Sequence, residues 1–133
     1  SFKYYAIGDM ASSIASGTTS SLGMVIVPCS MGTVAAVSNG LADNLIRRAA
    51  DVCLKERRPL VIVPREAPLN AIHLENMSSL ARMGVTILPP LPAFYLNHTS
   101  VEEVVDFTVE RILLALGLID TLPEEMRYKG QNG

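Results

Sequence analysis

The chain has 133 residues, a formal net charge of −2 and a hydrophobic content of 49%. This length predicts one domain, and the balance of charge gives no basic surface of the kind that binds nucleic acid. Residues 10–42 carry no charge, but polar residues interrupt them before they reach the roughly 20 apolar residues of a membrane span. Cys29 and Cys53 form no C-x-x-C pair, so we expect a reducing cytoplasm.

Few residues before position 23 give a clear signal, although residues 9–17 are consistent with one helical turn. The first strong pattern is the stretch GMVIVPCSMGT at 23–33. Its short apolar run followed by turn residues predicts a buried parallel strand. Ser30 and Thr33 are good helix N-caps, and Gly32 allows close approach of a bound group. The amino end of the following helix can therefore seat an anionic or electron-rich ligand, although many such turns hold nothing.

A helical pattern covers roughly residues 33–57, with a break expected at Asn39 and Gly40. Beyond the break, apolar residues recur at helical spacing and predict the inward face. This stripe consists of Leu41, Leu45, Ala49, Val52 and Cys53. Arg48 and Lys55 are two turns apart on one face, which indicates either a solvated basic surface or a grip on phosphate.

Two further apolar runs, Leu60–Pro64 and residues 85–88, predict the second and third strands. Arg65 and Glu66 follow the second strand directly, at the end where open α/β sheets place their ligands. The helix expected between these strands ends at Gly84 and contains His73, which we interpret as structural. Three prolines in residues 89–92 predict a stiff, extended connector. This connector would hold Phe94 and Tyr95 at a fixed place, where they either cover the hydrophobic core or contact a ligand.

The last helix is expected to begin at Ser100, which has the capping-box spacing to Glu103. Its predicted inward stripe consists of Val101, Val104, Val105, Thr108, Ile112, Ala115 and Leu116. Arg111 falls within this stripe, and a buried guanidinium is costly unless it is paired. Its partner is therefore either a carboxylate of the chain or an anionic ligand. Residues 123–133 are polar and predict a loose tail after a domain at 1–122.

Strands that alternate with helices predict a parallel, doubly wound α/β sheet. The sequence contains only three strong strand patterns, whereas open sheets usually hold about five or six strands. We therefore expect one or more N-terminal βα units to be absent from this chain. No cluster of His, Cys and Asp has metal-ligand spacing, and neither a nucleophile elbow nor a phosphate-binding P-loop is present. A phosphate would therefore be neutralised by Lys and Arg.

Several motifs in this order resemble those of the UbiX-type flavin prenyltransferases, formerly called phenylacrylic or hydroxyarylic acid decarboxylases. The motifs are PCSMGT, DNLIRRAADVCLKERRPLVIVPREAPLN, HLENM and LPPLPAFY, followed by a helix that contains TVERIL. The resemblance covers about residues 9–122. It implies a Rossmann-like, flavodoxin-like three-layer fold and a homo-oligomer, typically a dodecamer with sites near subunit junctions.

The resemblance also implies a metal-independent reaction in which reduced FMN receives the dimethylallyl group of dimethylallyl monophosphate. The product, prenylated FMN, serves UbiD-type decarboxylases. By motif position, FMN would be held by Ser30, Met31, Gly32, Thr33 and Arg65. The substrate phosphate would be held by Arg48, Lys55, Tyr95 and Arg111, and Glu66 would move protons between the flavin and the phosphate.

Two alternatives stay open. One is a flavin-dependent cysteine decarboxylase of similar fold, although its P-x-M-N-x-x-M-W motif is absent from this sequence. The other is a non-catalytic, oligomeric FMN-binding or regulatory subunit. The family's N-terminal strand and its Gly-Ala-Ser-Gly-Ala turn do not occur in the sequence. In the family this segment helps to hold FMN and supplies a catalytic serine, so its absence affects the expectation of both FMN binding and turnover.

Overall fold

The computed structural model describes residues 23–97 and 99–129, so the helical turn expected at 9–17 lies outside the described residues. Three parallel strands form one sheet in the order β1 (Met24–Cys29), β2 (Leu60–Pro64) and β3 (Thr86–Ile87). In register, Met24 pairs with Leu60 and Val61 pairs with Thr86. The parallel α/β architecture expected from the alternating pattern is confirmed.

The third strand is shorter than the predicted 85–88. The amide of Val85 donates to the carbonyl of Leu80 (3.1 Å) in the preceding helix, and therefore belongs to the end of that helix. The amide of Leu88 donates to the carbonyl of Ile62 (2.8 Å), which continues the ladder by one bond beyond the assigned strand.

Within the described residues, four helices connect or follow the strands: α1 (Met31–Ser38), α2 (Leu45–Lys55), α3 (Ala71–Arg82) and α4 (Val101–Ala115). Short 3₁₀ turns lie at Phe94–Leu96 and Glu124–Met126. No helix in the described part of the chain is both long and apolar enough to cross a bilayer.

The expected break between the first two helices is confirmed at Asn39 and Gly40. Gly40 has a φ of 74°, a conformation that glycine adopts without a steric penalty. Asn44 then caps α2, its side chain accepting a hydrogen bond from the amide of Arg47 (2.8 Å). Leu41 therefore precedes the helix and is 52% exposed, so its place in the predicted stripe was wrong. The other four members of that stripe are buried.

The sheet is covered on both faces, which gives the expected three layers. One face packs against α1, α2 and α3 through a large cluster that includes Ile62 and Leu80, both fully buried. The other face packs against α4 through Val61, Val63 and Ile112. Residues of β2 alternate between these two clusters, as expected for the central strand of a sheet that is covered on both sides.

The predicted inward stripe of α4 was wrong over its amino-terminal half. Val101 is 79% exposed and Val105 is 52% exposed, whereas Ile112 is buried. The packing of the helix on this sheet lies in its carboxyl-terminal part, where Ala115 and Leu116 join Ile112.

Ser100 caps α4 as predicted, because the amide of Glu103 donates to Ser100 Oγ (3.2 Å). In a capping box the side chain of Glu103 would accept a hydrogen bond from the amide of Ser100, but here it binds the preceding residue. The carboxylate of Glu103 accepts from the amide of Thr99 (3.1 Å) and from its hydroxyl (2.9 Å). Glu103 therefore holds the chain at Thr99, one residue before the N-cap.

Candidate functional site

The turn after β1 and the turn after β2 lie side by side. Since the strands are parallel neighbours, their carboxyl ends reach the same edge of the sheet. The amide of Arg65, the first residue after β2, donates to the carbonyl of Cys29, the last residue of β1 (3.1 Å). This bond joins the turn that begins at Ser30 to the Arg65–Glu66 pair, so the structure brings the predicted cofactor residues and the predicted catalytic carboxylate to one edge.

Ser30 organises the amino end of α1. Its Oγ accepts from the amide of Thr33 (3.1 Å) and donates to Thr33 Oγ1 (3.3 Å), and its carbonyl accepts from the amide of Val34 (3.0 Å). The first amides of a helix have no partner within it. Those of Met31 and Gly32 therefore point outward from the turn, where a ligand can accept from them. The Met31 side chain is buried and offers a ligand only its backbone.

Gly32 is not required by the chain itself. A Cβ at this position would lie 3.8 Å from Ser30 Oγ and 4.0 Å from Arg47 Nη2, both ordinary contact distances. Any need for glycine here would therefore arise from a bound group that approaches the backbone.

Arg47 lies beside this turn and was missed in the sequence, where Arg48 seemed the better candidate. Its Nη1 forms a close ion pair with the carboxylate of Asp43 (2.9 Å). Its Nε is buried and has no hydrogen-bond acceptor among the residues that the structure describes. The only sequence signal for this placement is the spacing of four residues between Asp43 and Arg47.

The Cys29 thiol ends β1 directly below the turn and is buried. Burial raises its pKa to about 11, and the positive charge of Arg47 offsets part of that rise. The thiol therefore stays protonated at neutral pH and is a poor nucleophile. Its role at this edge is packing.

An open cleft of about 870 Å³ lies beside Arg65 and Glu66, between the ends of β2 and β3 and the helix α3. Its size is in the range of small-molecule sites. The walls are largely apolar and include Leu74, Met77 and Ile87, with the Pro89–Pro90–Leu91 connector along one side. Glu66 is exposed, and one of its oxygens accepts from the amide of Ala67 (3.1 Å). The cleft thus combines an apolar interior with one cation and one carboxylate at its rim.

Lys55 lies at the other end of the sheet. It closes α2, is exposed, and approaches only its neighbour Glu56 (3.7 Å) among the described carboxylates. The chain then enters β2 at Leu60, and five residues at about 3.3 Å each separate that end from Arg65 by roughly 16 Å. Arg48 is two turns earlier on α2, about 10 Å nearer the site edge, and is half-buried.

Tyr95 and Arg111 share one side of α4. The Tyr95 ring packs edge-on against Phe107 at 6.4 Å, and Phe107 and Arg111 are neighbours one turn apart on the helix. Arg111 is exposed in this chain, so the expectation of a buried guanidinium was wrong: its neighbour Ile112 is the residue that packs against the sheet.

The residues after 123 are not loose over the described range. The Tyr95 hydroxyl donates to the carbonyl of Met126 (3.2 Å), and its ring packs edge-on against Tyr128 at 5.3 Å. Arg127 Nε donates to the carbonyl of Leu122 (2.8 Å). Residues 123–129 therefore lie against Tyr95, one of the predicted substrate ligands.

A family model described as Flavoprotein matches residues 6–113, most of the sequence. The chain belongs to the Flavoprotein family. This flavoprotein is 52% identical over 126 residues to the probable UbiX-like flavin prenyltransferase of Bacillus subtilis, covering 95% of the chain and 61% of that relative. It is also 52% identical over 124 residues to the flavin prenyltransferase UbiX of Pseudomonas aeruginosa, covering 93% of the chain and 57% of that relative. The resemblance stated from the motifs is confirmed, and the flavoprotein spans about three fifths of the length of these curated relatives.

Solved structures agree on the fold. A dodecameric FMN-dependent UbiX-like decarboxylase from Escherichia coli O157:H7 superposes with a TM-score of 0.86 at 49% identity, covering 93% of this chain and 66% of that one. The structure of AnUbiX (PadA1) in complex with FMN and dimethylallyl pyrophosphate has a TM-score of 0.85 at 46% identity, covering 95% and 66%. The flavodoxin-like architecture predicted for this flavoprotein is therefore confirmed.

Proposed function

We propose that this flavoprotein is a flavin prenyltransferase, which transfers the dimethylallyl group of dimethylallyl monophosphate to reduced FMN. The observation that carries the proposal is the likeness, at a TM-score of 0.85, to a structure that holds FMN together with dimethylallyl pyrophosphate. The prenylated FMN would serve decarboxylases of the UbiD type.

The strand-end edge fits FMN. The outward amides of Met31 and Gly32 suit the electron-rich edge of a flavin, and the positive end of the α1 dipole favours such a group. Arg65 is exposed beside them and adds a cation. Gly32, which the chain does not need for its own packing, leaves room for a ligand against the backbone.

When bound, reduced FMN supplies the nucleophilic atoms that accept the prenyl group. The role of the chain is to bind, orient and move protons. The apolar walls of the adjoining cleft suit the dimethylallyl group and exclude water. Glu66 at the rim would carry protons between the flavin edge and the departing phosphate. Arg48, Lys55, Tyr95 and Arg111 would stabilise that phosphate, on which negative charge grows as the bond breaks.

One copy of the chain does not bring these four groups together. Lys55 is at the opposite end of β2 from Glu66, and Arg111 faces outward. We propose that the phosphate site forms where copies meet in a homo-oligomer, so that Lys55 of one copy approaches Glu66 of another. Large apolar side chains are exposed on the described chain, such as Ile72 at 65% and Leu91 at 65%, and exposed apolar surface of this kind is typical of contacts between subunits.

We also place the protein in the cytoplasm. Cys29 and Cys53 are both free and buried, and thiols persist in that form in a reducing compartment.

The test is to incubate the purified chain with reduced FMN and dimethylallyl monophosphate under anaerobic conditions and to measure the flavin by mass spectrometry. We expect a flavin heavier than FMN by one prenyl group. Bound but unchanged FMN would contradict the proposed prenyltransferase activity and would indicate a non-catalytic FMN-binding subunit. Decarboxylation of a peptide that ends in cysteine would instead indicate a flavin-dependent cysteine decarboxylase.

A further inference from the structure

His73 closes the amino end of α3 in a reciprocal pair of hydrogen bonds with Asn70. The amide of His73 donates to Asn70 Oδ1 (2.9 Å), and the amide of Asn70 donates to His73 Nδ1 (3.2 Å). This arrangement is a capping box, and it satisfies two amides that the helix cannot satisfy itself. The sequence alone suggested only that His73 is structural.

The residue at this third helical position of a capping box is usually Glu or Gln, whose oxygen remains an acceptor near neutral pH. A histidine is different, because Nδ1 accepts a hydrogen bond only when it carries no proton. Imidazole is the side chain that ordinarily changes charge between pH 5 and 8. The box therefore requires neutral His73, with its proton on Nε2.

The box anchors the turn that carries the proposed catalytic residues. That turn starts at Arg65, whose amide is bound to the carbonyl of Cys29. It ends at Asn70, whose carbonyl also accepts from the amide of Leu74 (3.1 Å). Glu66 lies between these anchors and has only the adjacent Ala67 amide as a described hydrogen-bond partner. Its position therefore depends on both ends of the turn being held.

The surroundings of His73 contain few charges. The elements that pack most against α3 are α1 and β3, and neither contains a titratable side chain. The residues one turn further along α3, Asn76 and Met77, are uncharged. Charged groups on α3 and the preceding turn are Arg65, Glu66, Glu75 and Arg82.

We propose that neutral His73 is a positioning residue that holds the Arg65–Glu66 turn in place, and that protonation of Nδ1 opens the capping box and loosens this turn. Acidification should then lower prenyl transfer through the position of Glu66. The effect on prenyl transfer rests on the proposed function, whereas the opening of the turn does not.

The test is hydrogen exchange of the whole chain at pH 8.0 and pH 5.5, corrected for the intrinsic pH dependence of exchange and read at the Asn70 amide. In the wild type we expect protection to fall about fivefold at the lower pH, the effect of losing a typical cap. His73→Gln keeps an acceptor that does not titrate, so its protection should not fall. His73→Leu should show low protection at both pH values. His98→Gln, which removes the chain's other imidazole, should behave as the wild type does.

Two results would overturn the inference: equal protection of wild-type Asn70 at both pH values, or a fall in His73→Gln as large as in the wild type. The rate of prenyl transfer from dimethylallyl monophosphate to reduced FMN, measured in parallel, should fall in acid for the wild type and less for His73→Gln. Identical acid losses in the two proteins would remove His73 from catalysis. If no prenylated flavin forms at any pH but the protection of Asn70 still falls in acid as expected, the proposed function is rejected. The inference that His73 holds the turn would then stand.

Discussion

The strand-end edge and the set of outlying cations differ in how much of their geometry one chain supplies. At the edge, Ser30 caps α1, the amide of Arg65 donates to the carbonyl of Cys29, and Asn70 caps α3, all within one chain. The outlying groups, Lys55 and Arg111, are exposed and lie on helices away from that edge. The comparison indicates that the flavin half of the proposed site is built by the fold, whereas the phosphate half depends on assembly. The predictions below separate the two halves.

The largest effect is expected for Glu66→Gln. Loss of a general acid–base group typically lowers a rate by about 10²–10⁴-fold, so prenylated flavin should form at least about 100-fold more slowly. FMN affinity should be retained, since Glu66 is not among the proposed FMN ligands. Single-turnover mass analysis and fluorescence titration with FMN measure the two quantities.

Glu75→Gln is the matched control for this substitution. Glu75 is an exposed glutamate on α3, so the same chemical change occurs outside the proposed site. A loss of turnover in Glu75→Gln equal to that in Glu66→Gln would mean that the effect is general and that Glu66 has no special role.

A smaller effect, on stability, is expected for Ser30→Ala and Ser100→Ala. Both serines cap a helix through the same bond to the third amide, at 3.1 Å and 3.2 Å. Each substitution should lower the free energy of unfolding by about 1 kcal/mol, as measured by urea denaturation. Only Ser30→Ala should also weaken FMN binding, because only Ser30 lies at the flavin edge. Equal FMN affinities in the two variants would place the flavin elsewhere.

The last effect concerns Cys29 and is confined to alkaline pH. Burial raises the pKa of its thiol from 9.0 to about 11, so the native state holds this proton more tightly than the unfolded chain does. The resulting contribution to stability is full below pH 9 and is lost as the pH rises toward 11. Unfolding of the wild type across that window should therefore show a steeper loss of stability than unfolding of Cys29→Ala. Parallel pH profiles would indicate that the thiol is not shielded in this way.

The elements closest to the site were the ones that the sequence predicted best. A short apolar run, a serine cap and a glycine after it indicated β1 and α1, and the residues after Pro64 followed from the parallel topology. These are local signals or direct consequences of strand direction. The same reasoning located the break at Asn39 and Gly40.

Other features depended on contacts that no local pattern encodes. Arg111 has apolar neighbours at helical spacing, yet it is exposed, whereas the adjacent Ile112 packs against the sheet. Arg47 was overlooked because its approach to Gly32 depends on how α2 packs against α1. The contact of the C-terminal residues with Tyr95 joins positions 31 residues apart, and polar composition gave no indication of it.

The central claim is that the site combines the flavin edge of one copy with cations of another. Mixing Glu66→Gln with Lys55→Met, after dissociation and reassembly, tests it most directly, because some interfaces then join an intact Glu66 to an intact Lys55. We predict that each variant alone forms little prenylated flavin and that the mixture recovers part of the wild-type rate. A mixture no more active than the two variants measured separately would show that both residues act within one chain, and would contradict the shared site.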